Sequence, residues 1–211
     1  MVKVFNFESN YNEFSANTYV VGELNGPCVI IDLGSTGRRV LDYVKTNHTE
    51  VKAILLTHGH YDHIRGVDKF LDQNPNVPVY IDRYDIELTT NPKLNCSHLD
   101  RESVSIHHKV NTFKDLDILN FGEGLEFEVI ETPFHTDGSV CFINRANSAC
   151  FSGDTLFKGS IGRSDLTTSN RNYIESSLDR VKSFDKNLIV YPGHGEITTI
   201  NDELINNYFL N

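Results

Sequence analysis

The sequence contains no apolar segment long enough to cross a membrane, because no stretch approaches the roughly 20 apolar residues that a bilayer requires. Its N-terminal residues also lack the apolar run of a signal peptide. No C-x-x-C spacing is present, so neither a disulfide framework nor a thiolate metal site is indicated. We expect small buried thiols in a reducing compartment at Cys28, Cys96, Cys141 and Cys150. These absences favour a cytoplasmic protein.

A block of like charges is also missing, although acidic side chains outnumber basic ones by 29 to 19 and the formal net charge is −10. Nucleic acids and anionic membranes are bound by clustered Lys and Arg, so we expect neither as a partner. The apolar fraction of 39% and the charged fraction of 23% are typical of a protein with a packed core. At 211 residues the chain is expected to form one domain over 1–211, and nothing indicates its oligomeric state.

Strand and helix signals alternate in the first half of the chain, and short strands separated by Gly, Asn and Asp turns follow in the second. The predicted strands are 2–7, 17–21, 27–33, 51–57, 77–81, 116–121, 125–132, 139–144, 149–152 and 188–191. The predicted helices are 38–47, a short one around 67–71, 172–184 and 203–209. This order favours helices packed outside stacked sheets. Residues 90–112 have the least regular pattern and are predicted to form a mobile loop over a site.

Four polar clusters each stand directly after an apolar strand. The densest is the run Thr57-His58-Gly59-His60-Tyr61-Asp62-His63, and the others surround His135, Asp154 and His194. Strand ends gather at one edge of a sheet, so the loops that follow them can converge on one point. A single histidine at a strand end is more often a surface or core residue than a ligand. Three imidazoles and a carboxylate within six positions are hard to explain by packing, and they predict a transition-metal site.

The clusters together offer enough ligands for two divalent ions. One coordination sphere can be written with His58, His60 and His135, the other with Asp62, His63 and His194, and Asp154 can bridge the two. Three or four protein ligands on each ion leave a position for water, which is the arrangement of a catalytic site and not of a structural one. Two ions that share a water lower its pKa toward about 7 and so supply a hydroxide nucleophile at neutral pH.

This constellation closely resembles the metallo-β-lactamase superfamily, whose His-x-His-x-Asp-His signature stands here at 58–63. The later ligands follow in the order and contexts of the family, and further matches lie at 17–19, 31–34, 152–157 and 162–165. The resemblance extends from about residue 14 to residue 195. It implies an α/β fold built as a four-layer αββα sandwich, with the dinuclear site at one edge of the paired sheets.

Within that superfamily the chain looks like the glyoxalase II-type hydrolases, because it reads Gly-Asp-Thr-Leu-Phe at 153–157 and Gly-Arg-Ser-Asp at 162–165. The resemblance implies a hydroxyacylglutathione hydrolase-like thioesterase for S-2-hydroxyacyl conjugates of small thiols. A metal-bridging hydroxide would be the nucleophile, with Asp62 and Asp154 in the catalytic centre. The ligand types make two zinc ions the expected cofactors, with iron or manganese as alternatives.

The chain departs from the pattern of that family in three places. Phe134 stands where the family usually has glycine before the histidine, and we expect it to narrow the substrate pocket or to redirect His135. The Pro-Gly-Gly often found after the 162–165 motif is missing. The C-terminal helical domain that binds glutathione in full-length glyoxalase II is also expected to be missing, since only 17 residues follow His194. The resemblance therefore leaves the thiol carrier open.

Three further residues are candidates for roles beside the metals. Arg163 and Lys158 can meet a carboxylate of the substrate, and an internal ion pair of Arg163, for instance with Asp165, is the alternative that remains open. Asp32 is expected to orient a metal-bound imidazole, as such sites normally require. The histidines at positions 48, 98, 107 and 108 are expected to be exposed.

The competing function is a persulfide dioxygenase-like oxidoreductase, in which residues corresponding to His58, His135 and Asp154 hold one iron. Two histidines and one carboxylate suit ferrous iron, but the sequence retains every ligand of the second site, which favours the hydrolase. A lactonase or a nuclease of the same superfamily is less favoured, and the acidic composition argues against the nuclease. A metal-stabilised binding module without catalysis is the remaining alternative.

Overall fold

The computed structural model of the protein describes residues 3–7, 16–35 and 38–211. Val2, at the start of the first predicted strand, and residue 14, where the family resemblance begins, lie outside the described residues. Within the described part of the chain, none of the helices combines the length and the apolar character needed to traverse a bilayer.

The first sheet is formed by six strands of the N-terminal half. They are β1 (Lys3–Phe7), β2 (Thr18–Gly22), β3 (Pro27–Ile31), β4 (Glu50–Leu55), β5 (Val79–Asp82) and β6 (Val110–Phe113), and they follow one another across the sheet in that order. β1, β2 and β3 pair antiparallel, whereas β3 to β6 run parallel. Parallel neighbours need crossover connections, and these contain α1 (Arg38–Asn47), α2 (Tyr61–Ile64) and α3 (Val67–Leu71).

The C-terminal half supplies a second sheet, a small hairpin and two helices. The strands are β7 (Ile118–Asn120), β8 (Glu126–Glu131), β9 (Val140–Asn144), β10 (Ala149–Gly153), the hairpin strands β11 (Leu156–Phe157) and β12 (Ser160–Ile161), β13 (Ile189–Pro192) and β14 (Thr198–Thr199). The helices are α4 (Ile174–Lys182) and α5 (Ile200–Asn206). The sheet has the order β14-β13-β10-β9-β8-β7, and its strands are antiparallel except for the pair β10–β13.

Alternating side chains divide the first sheet between two apolar clusters. In β2 the side chain of Val20 faces the helices, in a cluster that contains Val40 of α1 and Phe70 of α3. Its neighbours Tyr19 and Val21 belong to a different cluster, which lies between the two sheets. This division follows from the two-residue period of a strand. It places a helical layer on one face of the sheet and the second sheet on the other.

The second sheet is covered on both faces in the same way. Phe127, Phe142 and Phe151 face the first sheet, while Ile143 and Val190 pack with α4 and α5 on the outer face. Each side chain of this size stabilises the fold by roughly 1.5–3 kcal/mol when it is fully buried. The layers therefore follow one another as helix, sheet, sheet and helix, and the predicted αββα sandwich is confirmed.

Most predicted elements are present with ends shifted by one to a few residues, and several short elements were not predicted. The last helix runs over Ile200–Asn206 and not over 203–209, and β6, β14 and the β11–β12 hairpin have no counterpart among the predicted strands. The predicted loop over 90–112 contains the 3-10 helix Ser97–Asp100 and part of β6. It is also tied to the histidine motif, because the Tyr61 amide donates to the carbonyl of the buried Asn95 at 2.9 Å.

Candidate metal centre

Four loops at one edge of the sandwich carry the predicted ligands. Each loop follows the carboxyl end of a strand: β4 leads to His58 and then to α2, β8 leads to His135, β10 to Asp154 and β13 to His194. The structure brings all seven predicted ligands together. In the first group, His58, His60 and His135, and in the second group, Asp62, His63 and His194, the ligand atoms lie within 4.8 Å of one another. His58, His63 and Asp154 lie within the same distance of one another and connect the two groups.

Three imidazole nitrogens converge in the first group. His60 Nδ1 lies 3.1 Å from His58 Nε2 and 2.9 Å from His135 Nε2. A tetrahedral zinc ion with Zn–N bonds of 2.0–2.1 Å holds its ligand atoms about 3.3 Å apart. The spacing of these nitrogens is close to that edge length, so the group fits a single transition-metal ion.

Asp154 lies between the first group and the second. Its Oδ2 is 3.4 Å from His135 Nε2, whereas its Oδ1 is 3.2 Å from His63 Nε2 and 3.7 Å from His194 Nε2. Asp62 Oδ2 completes the second group at 3.0 Å from His194 Nε2. The two oxygens of one carboxylate thus face two different sets of nitrogen ligands, which is the arrangement of a bridging ligand.

Two buried atoms of this centre lack a hydrogen-bond partner. They are His63 Nε2 and Asp154 Oδ1. Buried polar atoms are nearly always paired in folded proteins, so two orphaned atoms that face each other call for a partner of another kind. A divalent cation bound by nitrogen and oxygen ligands satisfies both of them. The donor set therefore fits metal ions. The side chain of His194 is 37% exposed, which opens this part of the centre to solvent.

Two imidazoles of the first group, those of His58 and His60, are held in the neutral form that binds metals. Burial lowers the pKa of His58 well below its usual value, and the neighbouring imidazoles of His63, His60 and His135 add to the shift. Burial, followed by the nearby His135, lowers the pKa of His60 to about 3. A neutral imidazole has a free nitrogen lone pair, so His58 and His60 present ligand atoms without first releasing protons.

The second group has the opposite electrostatic character. Burial opposes the charged form of Asp154, but the imidazoles of His194, His63 and His135 prevail and hold the pKa of this carboxyl well below its usual range. Burial also opposes the charged form of His63 and so lowers its pKa. The carboxylates of Asp32, Asp154 and Asp62 outweigh this effect and raise the pKa of His63 well above 6.5. The carboxylates thus favour a positive charge at this position, and a divalent ion would take the place of protons on the imidazoles.

Asp32 fixes the orientation of His63, the role for which the sequence singles it out. His63 Nδ1 lies 2.8 Å from Asp32 Oδ2, and the same carboxylate accepts hydrogen bonds of 2.8 Å from the Thr57 amide and hydroxyl. Asp32 has a φ of 52°, a left-handed conformation that is costly for a residue with a side chain. The protonated Nδ1 leaves Nε2 of His63 free to face the centre.

The three imidazoles of the first group are oriented by contacts of their outer nitrogens. His135 Nδ1 donates to the backbone carbonyl of Arg163 at 2.8 Å. His58 Nδ1 lies 3.2 Å from the Thr57 hydroxyl, and His60 Nε2 lies 3.1 Å from the Thr168 hydroxyl. Such contacts fix the ring tautomer and keep the inner nitrogens aimed at the metal positions.

Asp85 also supports the metal centre, although no sequence motif singles it out. It is 1% exposed and accepts hydrogen bonds from the Gly59 amide at 2.8 Å, the Gly138 amide at 2.9 Å and the Thr136 hydroxyl at 2.8 Å. These bonds join the loop of His58 to the loop of His135. Burial raises the pKa of the Asp85 carboxyl above its usual value, and the hydrogen bonds from its three donors offset only part of that rise. Asp85 stands three residues after β5, so the search for polar residues at strand ends could have found it.

Of the three residues predicted to contact the substrate, two are exposed and one is buried. Arg163 pairs with Asp165 through bonds of 2.6 Å and 2.9 Å, and Lys158 pairs with Glu196; both cations are exposed. Phe134 does not line the pocket as expected. It is fully buried in the cluster under α4, because its phenyl ring gains more from that apolar contact than from the polar cleft.

One surface expectation is also wrong. His48 is predicted to be exposed, but it is 8% exposed and its Nδ1 lies 3.1 Å from the Glu23 carbonyl. The aromatic rings of Phe5 and Tyr43 pack around it. His48 follows the last turn of α1 directly, and this packing was not visible in the linear sequence.

The fold and this constellation define a class of metal-binding proteins with a shared core. Residues 11–194 match the metallo-β-lactamase superfamily, so the chain belongs to that superfamily. Its relatives include a probable metallo-hydrolase of Streptococcus pyogenes, 36% identical over 190 residues that cover 87% of this chain and 81% of the relative. The hydroxyacylglutathione hydrolase GloC of Haemophilus influenzae is 29% identical over 201 residues, which cover 94% of each protein.

Solved structures show the same similarity. The crystal structure of the B3 metallo-β-lactamase BLEG-1 has a TM-score of 0.90 and 31% sequence identity, and the superposition covers 99% of both chains. TTHA1623 in a di-iron-bound form has a TM-score of 0.83 and 31% identity, covering 98% of this chain and 100% of the other. The chain thus has the ligand cluster of a metallo-hydrolase superfamily on the fold of that superfamily.

Proposed function

We propose that the protein is a dinuclear metallohydrolase that cleaves thioesters of S-2-hydroxyacyl small thiols. The observation that carries this proposal is the placement of Asp154, whose two oxygens face two separate groups of nitrogen ligands. His58, His60 and His135 would hold one ion, Asp62, His63 and His194 would hold the other, and Asp154 would bridge them. Bound divalent ions supply Lewis acidity and a water of lowered pKa at such a centre.

The side chains of the chain have distinct tasks in this reaction. Asp154 keeps the two ligand groups together, and Asp32 keeps His63 in one tautomer. Asp62 is partly open to solvent, with its Oδ2 at 3.0 Å from His194 Nε2, and can accept the proton of the attacking water. A thiolate leaves readily, so the reaction requires no strong general acid.

Two observations support a thioester as the substrate. The chain carries Gly-Asp-Thr-Leu-Phe at 153–157 followed by Gly-Arg-Ser-Asp at 162–165. The relative in Haemophilus influenzae that bears the name hydroxyacylglutathione hydrolase aligns over 94% of both proteins. The net charge of −10 favours a small-molecule substrate over nucleic acid. We place the enzyme in the cytoplasm, because its cysteines are free and three of the four are buried.

We propose that Arg163 and Lys158 contact carboxylates of the substrate. Both now pair with exposed acids, Asp165 and Glu196. Exposed ion pairs are screened by water and add little to stability, so a substrate carboxylate can replace either acid at little cost. Zinc is the metal that we favour from the histidine-rich ligand set. The di-iron form of TTHA1623 supports iron as the alternative, and manganese stays open.

Hydrolysis of a β-lactam is the second candidate. It is favoured by the superposition on the B3 metallo-β-lactamase BLEG-1 over 99% of both chains. A β-lactam and a thioester are both attacked at a carbonyl carbon, so the same centre suits either substrate. They differ in the leaving group, which is an amine in the first and a thiol in the second.

A substrate panel tests the proposal, with the metal quantified in the same sample. It contains S-lactoyl thiols, a β-lactam, a lactone and glutathione persulfide. We expect S-lactoyl thiol hydrolysis to be fastest. We also expect His58→Ala and Asp154→Ala to lower kcat/KM by about a hundredfold or more, as loss of a transition-state-stabilising group does.

The matched controls are His107→Ala and Asp179→Ala, which replace exposed residues of the same types and should keep full activity. Unchanged activity of His58→Ala and Asp154→Ala would refute the site. Faster turnover of the β-lactam would favour the second candidate. Iron together with persulfide-dependent oxygen uptake would sink both hydrolase proposals.

A further inference from the structure

The β11–β12 hairpin begins and ends inside the metal centre. It starts two residues after Asp154 and ends just before Arg163, whose carbonyl accepts the hydrogen bond from His135 Nδ1. At Gly162, which joins the hairpin to Arg163, an added Cβ would lie 1.9 Å from the Asp154 carbonyl oxygen and 3.2 Å from His135 Nδ1. The backbone at the hairpin exit is therefore packed directly against two of the ligands.

The hairpin also contacts a third ligand. The Phe157 ring lies 6.1 Å from the His194 ring, at an interplanar angle of 72°, which is an edge-to-face contact. The hairpin thus contacts Asp154 and His135 at its exit and His194 through Phe157. Any displacement of the hairpin thus shifts ligands of both metal groups.

Such a hairpin is not stable by itself. It has two residues in each strand and belongs to neither large sheet, and isolated two-stranded hairpins are marginal in water. Contacts from another element must fix it. The first strand is fixed by the Ser152 hydroxyl, which donates to the Leu156 carbonyl at 2.7 Å, and by the burial of Leu156. The turn is fixed by the C-terminal helix α5 and the residue that follows it, Asn207.

Two side chains of this segment hold the turn of the hairpin. Glu203 Oε2 accepts a hydrogen bond of 2.8 Å from the Gly159 amide, at the tip of the hairpin. Asn207 Nδ2 donates to the Ser160 carbonyl at 3.0 Å and to Glu203 Oε2 at 2.8 Å. Both bonds to the hairpin go to its backbone, so they set its position whatever side chains it carries.

Glu203 is an unusual choice for this task. It is 2% exposed, and its other oxygen accepts a bond of 2.7 Å from the Thr198 hydroxyl. Burial of a carboxylate is costly unless donors surround it, and here three donors do so. Two of these donors, the Gly159 amide and Asn207, belong to the hairpin contact, whereas Thr198 lies on β14 and does not touch the hairpin.

We propose that Glu203 is a positioning residue of the metal centre. Through the turn at Gly159 it fixes the β11–β12 hairpin, and through the hairpin it fixes Asp154, His135 and His194 relative to one another. This inference rests on the proposed dinuclear centre, but it concerns how the centre is held and not which substrate is cleaved.

Cobalt binding tests the inference without reference to activity. Apoprotein is titrated with Co²⁺, and the visible absorption of the bound ion reports both affinity and ligand geometry. In Glu203→Ala we expect the affinity for at least one Co²⁺ to fall about tenfold or more, as loss of an orienting contact does at metal sites, and the absorption bands to shift. Glu203→Gln keeps an acceptor for the Gly159 amide, so it should restore most of the affinity.

Three further variants separate positioning from general stability. Thr198→Val deletes the bond on the far side of the carboxylate and should lower the Tm while leaving Co²⁺ affinity unchanged. Asp202→Ala replaces the exposed neighbour on α5 and should change neither. Asn207→Ala deletes the other hairpin contact and should weaken Co²⁺ binding as Glu203→Ala does, so the test holds even when Glu203→Ala fails to fold.

Two results would overturn the inference. One is unchanged Co²⁺ affinity and spectrum in a folded Glu203→Ala or in Asn207→Ala. The other is an equal loss of Co²⁺ affinity in Thr198→Val and Glu203→Ala at equal loss of Tm, which would mean a general effect of stability. If the wild type binds Co²⁺ but hydrolyses no thioester, the substrate proposal fails while the cobalt comparison still decides the role of Glu203.

Discussion

At the scale of single residues, the centre depends on carboxylates that do not touch a metal position themselves. Asp32 is the clearest of these, since it accepts hydrogen bonds from Thr57 twice and lies 2.8 Å from His63 Nδ1. Its negative charge favours a proton on Nδ1, which directs the Nε2 lone pair to the second ligand group. The left-handed backbone at Asp32 is tolerated because these three contacts hold it.

Asp32→Asn is predicted to weaken binding of the second ion. The amide keeps the size of the side chain but removes the charge that fixes the His63 tautomer. We expect the affinity for one of the two metal ions to fall about tenfold to a hundredfold, with a smaller effect on the other. Equilibrium dialysis with elemental analysis measures this. Asp179→Asn, an exposed substitution of the same kind, is the control. Two ions bound with wild-type affinity in Asp32→Asn would contradict the prediction.

Residue type and spacing were sufficient to predict that the seven candidate ligands lie together, because packing alone rarely requires three histidines within six residues. They were insufficient for Phe134 and Asp85. Phe134 was predicted to line the pocket because it precedes His135. Consecutive side chains can point in opposite directions, however, and the packing under α4 decides which way the phenyl ring points. Asp85 has no neighbour in sequence that is a ligand. Its role arises from two loops that meet only in the folded chain.

At the scale of elements, the ends of strands carry the polar groups of this protein, including some outside the metal centre. β5 ends at Asp82, which is fully buried; its Oδ1 accepts a bond of 2.8 Å from the Tyr84 amide, and its Oδ2 has no partner. Burial raises the pKa of the Asp82 carboxyl to about 7, and the adjacent carboxylate of Glu131 contributes. The acid at the end of β5 thus stays protonated at pH values at which an aspartate is normally ionised.

Asp82 is predicted to make the fold less stable as pH rises from about 4 to about 7. The unfolded chain releases this proton near pH 4, whereas the folded protein keeps it to about 7, so the unfolded state binds fewer protons in that window. Asp82→Asn imitates the protonated acid at every pH. The Tm of Asp82→Asn relative to wild type should therefore rise from pH 4.5 to pH 8. A gain of about 1 kcal/mol in the free energy of unfolding raises the Tm by about 3 °C for a chain of this length.

Thermal unfolding of both proteins at the two pH values measures this difference. Asp179→Asn, which replaces an exposed acid that pairs with Lys182, should show no such pH-dependent gain. A Tm difference between Asp82→Asn and wild type that stays constant or falls with pH would contradict the prediction.

Elements with strong periodic patterns were predictable, and short ones were not. α1 was predicted with its observed ends, because Val40, Leu41 and Val44 form one apolar face. α5 was placed three residues too late, although Thr199 caps it by accepting the Asp202 amide at 3.0 Å, a signal that the sequence contains. The β11–β12 hairpin has two residues in each strand. A strand that short has no measurable period, and its place is set by α5.

At the scale of the whole molecule, the sandwich brings the imidazoles and carboxylates of the centre together at one edge, while apolar contacts between the layers stabilise the fold. Three apolar clusters hold the layers, and none of them requires the metal centre. The centre itself contains His58 and His63 at 0% exposure and Asp154 at 9%. Burial of ionisable groups is costly unless they are paired or bind a metal, so a cation bound at this edge would offset part of that cost.

Removal of the metal is therefore predicted to lower the Tm without unfolding the protein at room temperature. An ion that binds only the folded state stabilises it by RT ln(1 + [L]/Kd), or about 4 kcal/mol at a thousandfold excess over Kd. For a chain of this length that corresponds to about 10 °C. Calorimetry before and after chelation, and again after addition of Zn²⁺, measures the shift. His58→Ala should show a smaller shift because one ligand is lost, whereas His107→Ala should behave like wild type. Equal Tm values with and without chelator would mean that the folded chain gains no stability from an ion at this edge.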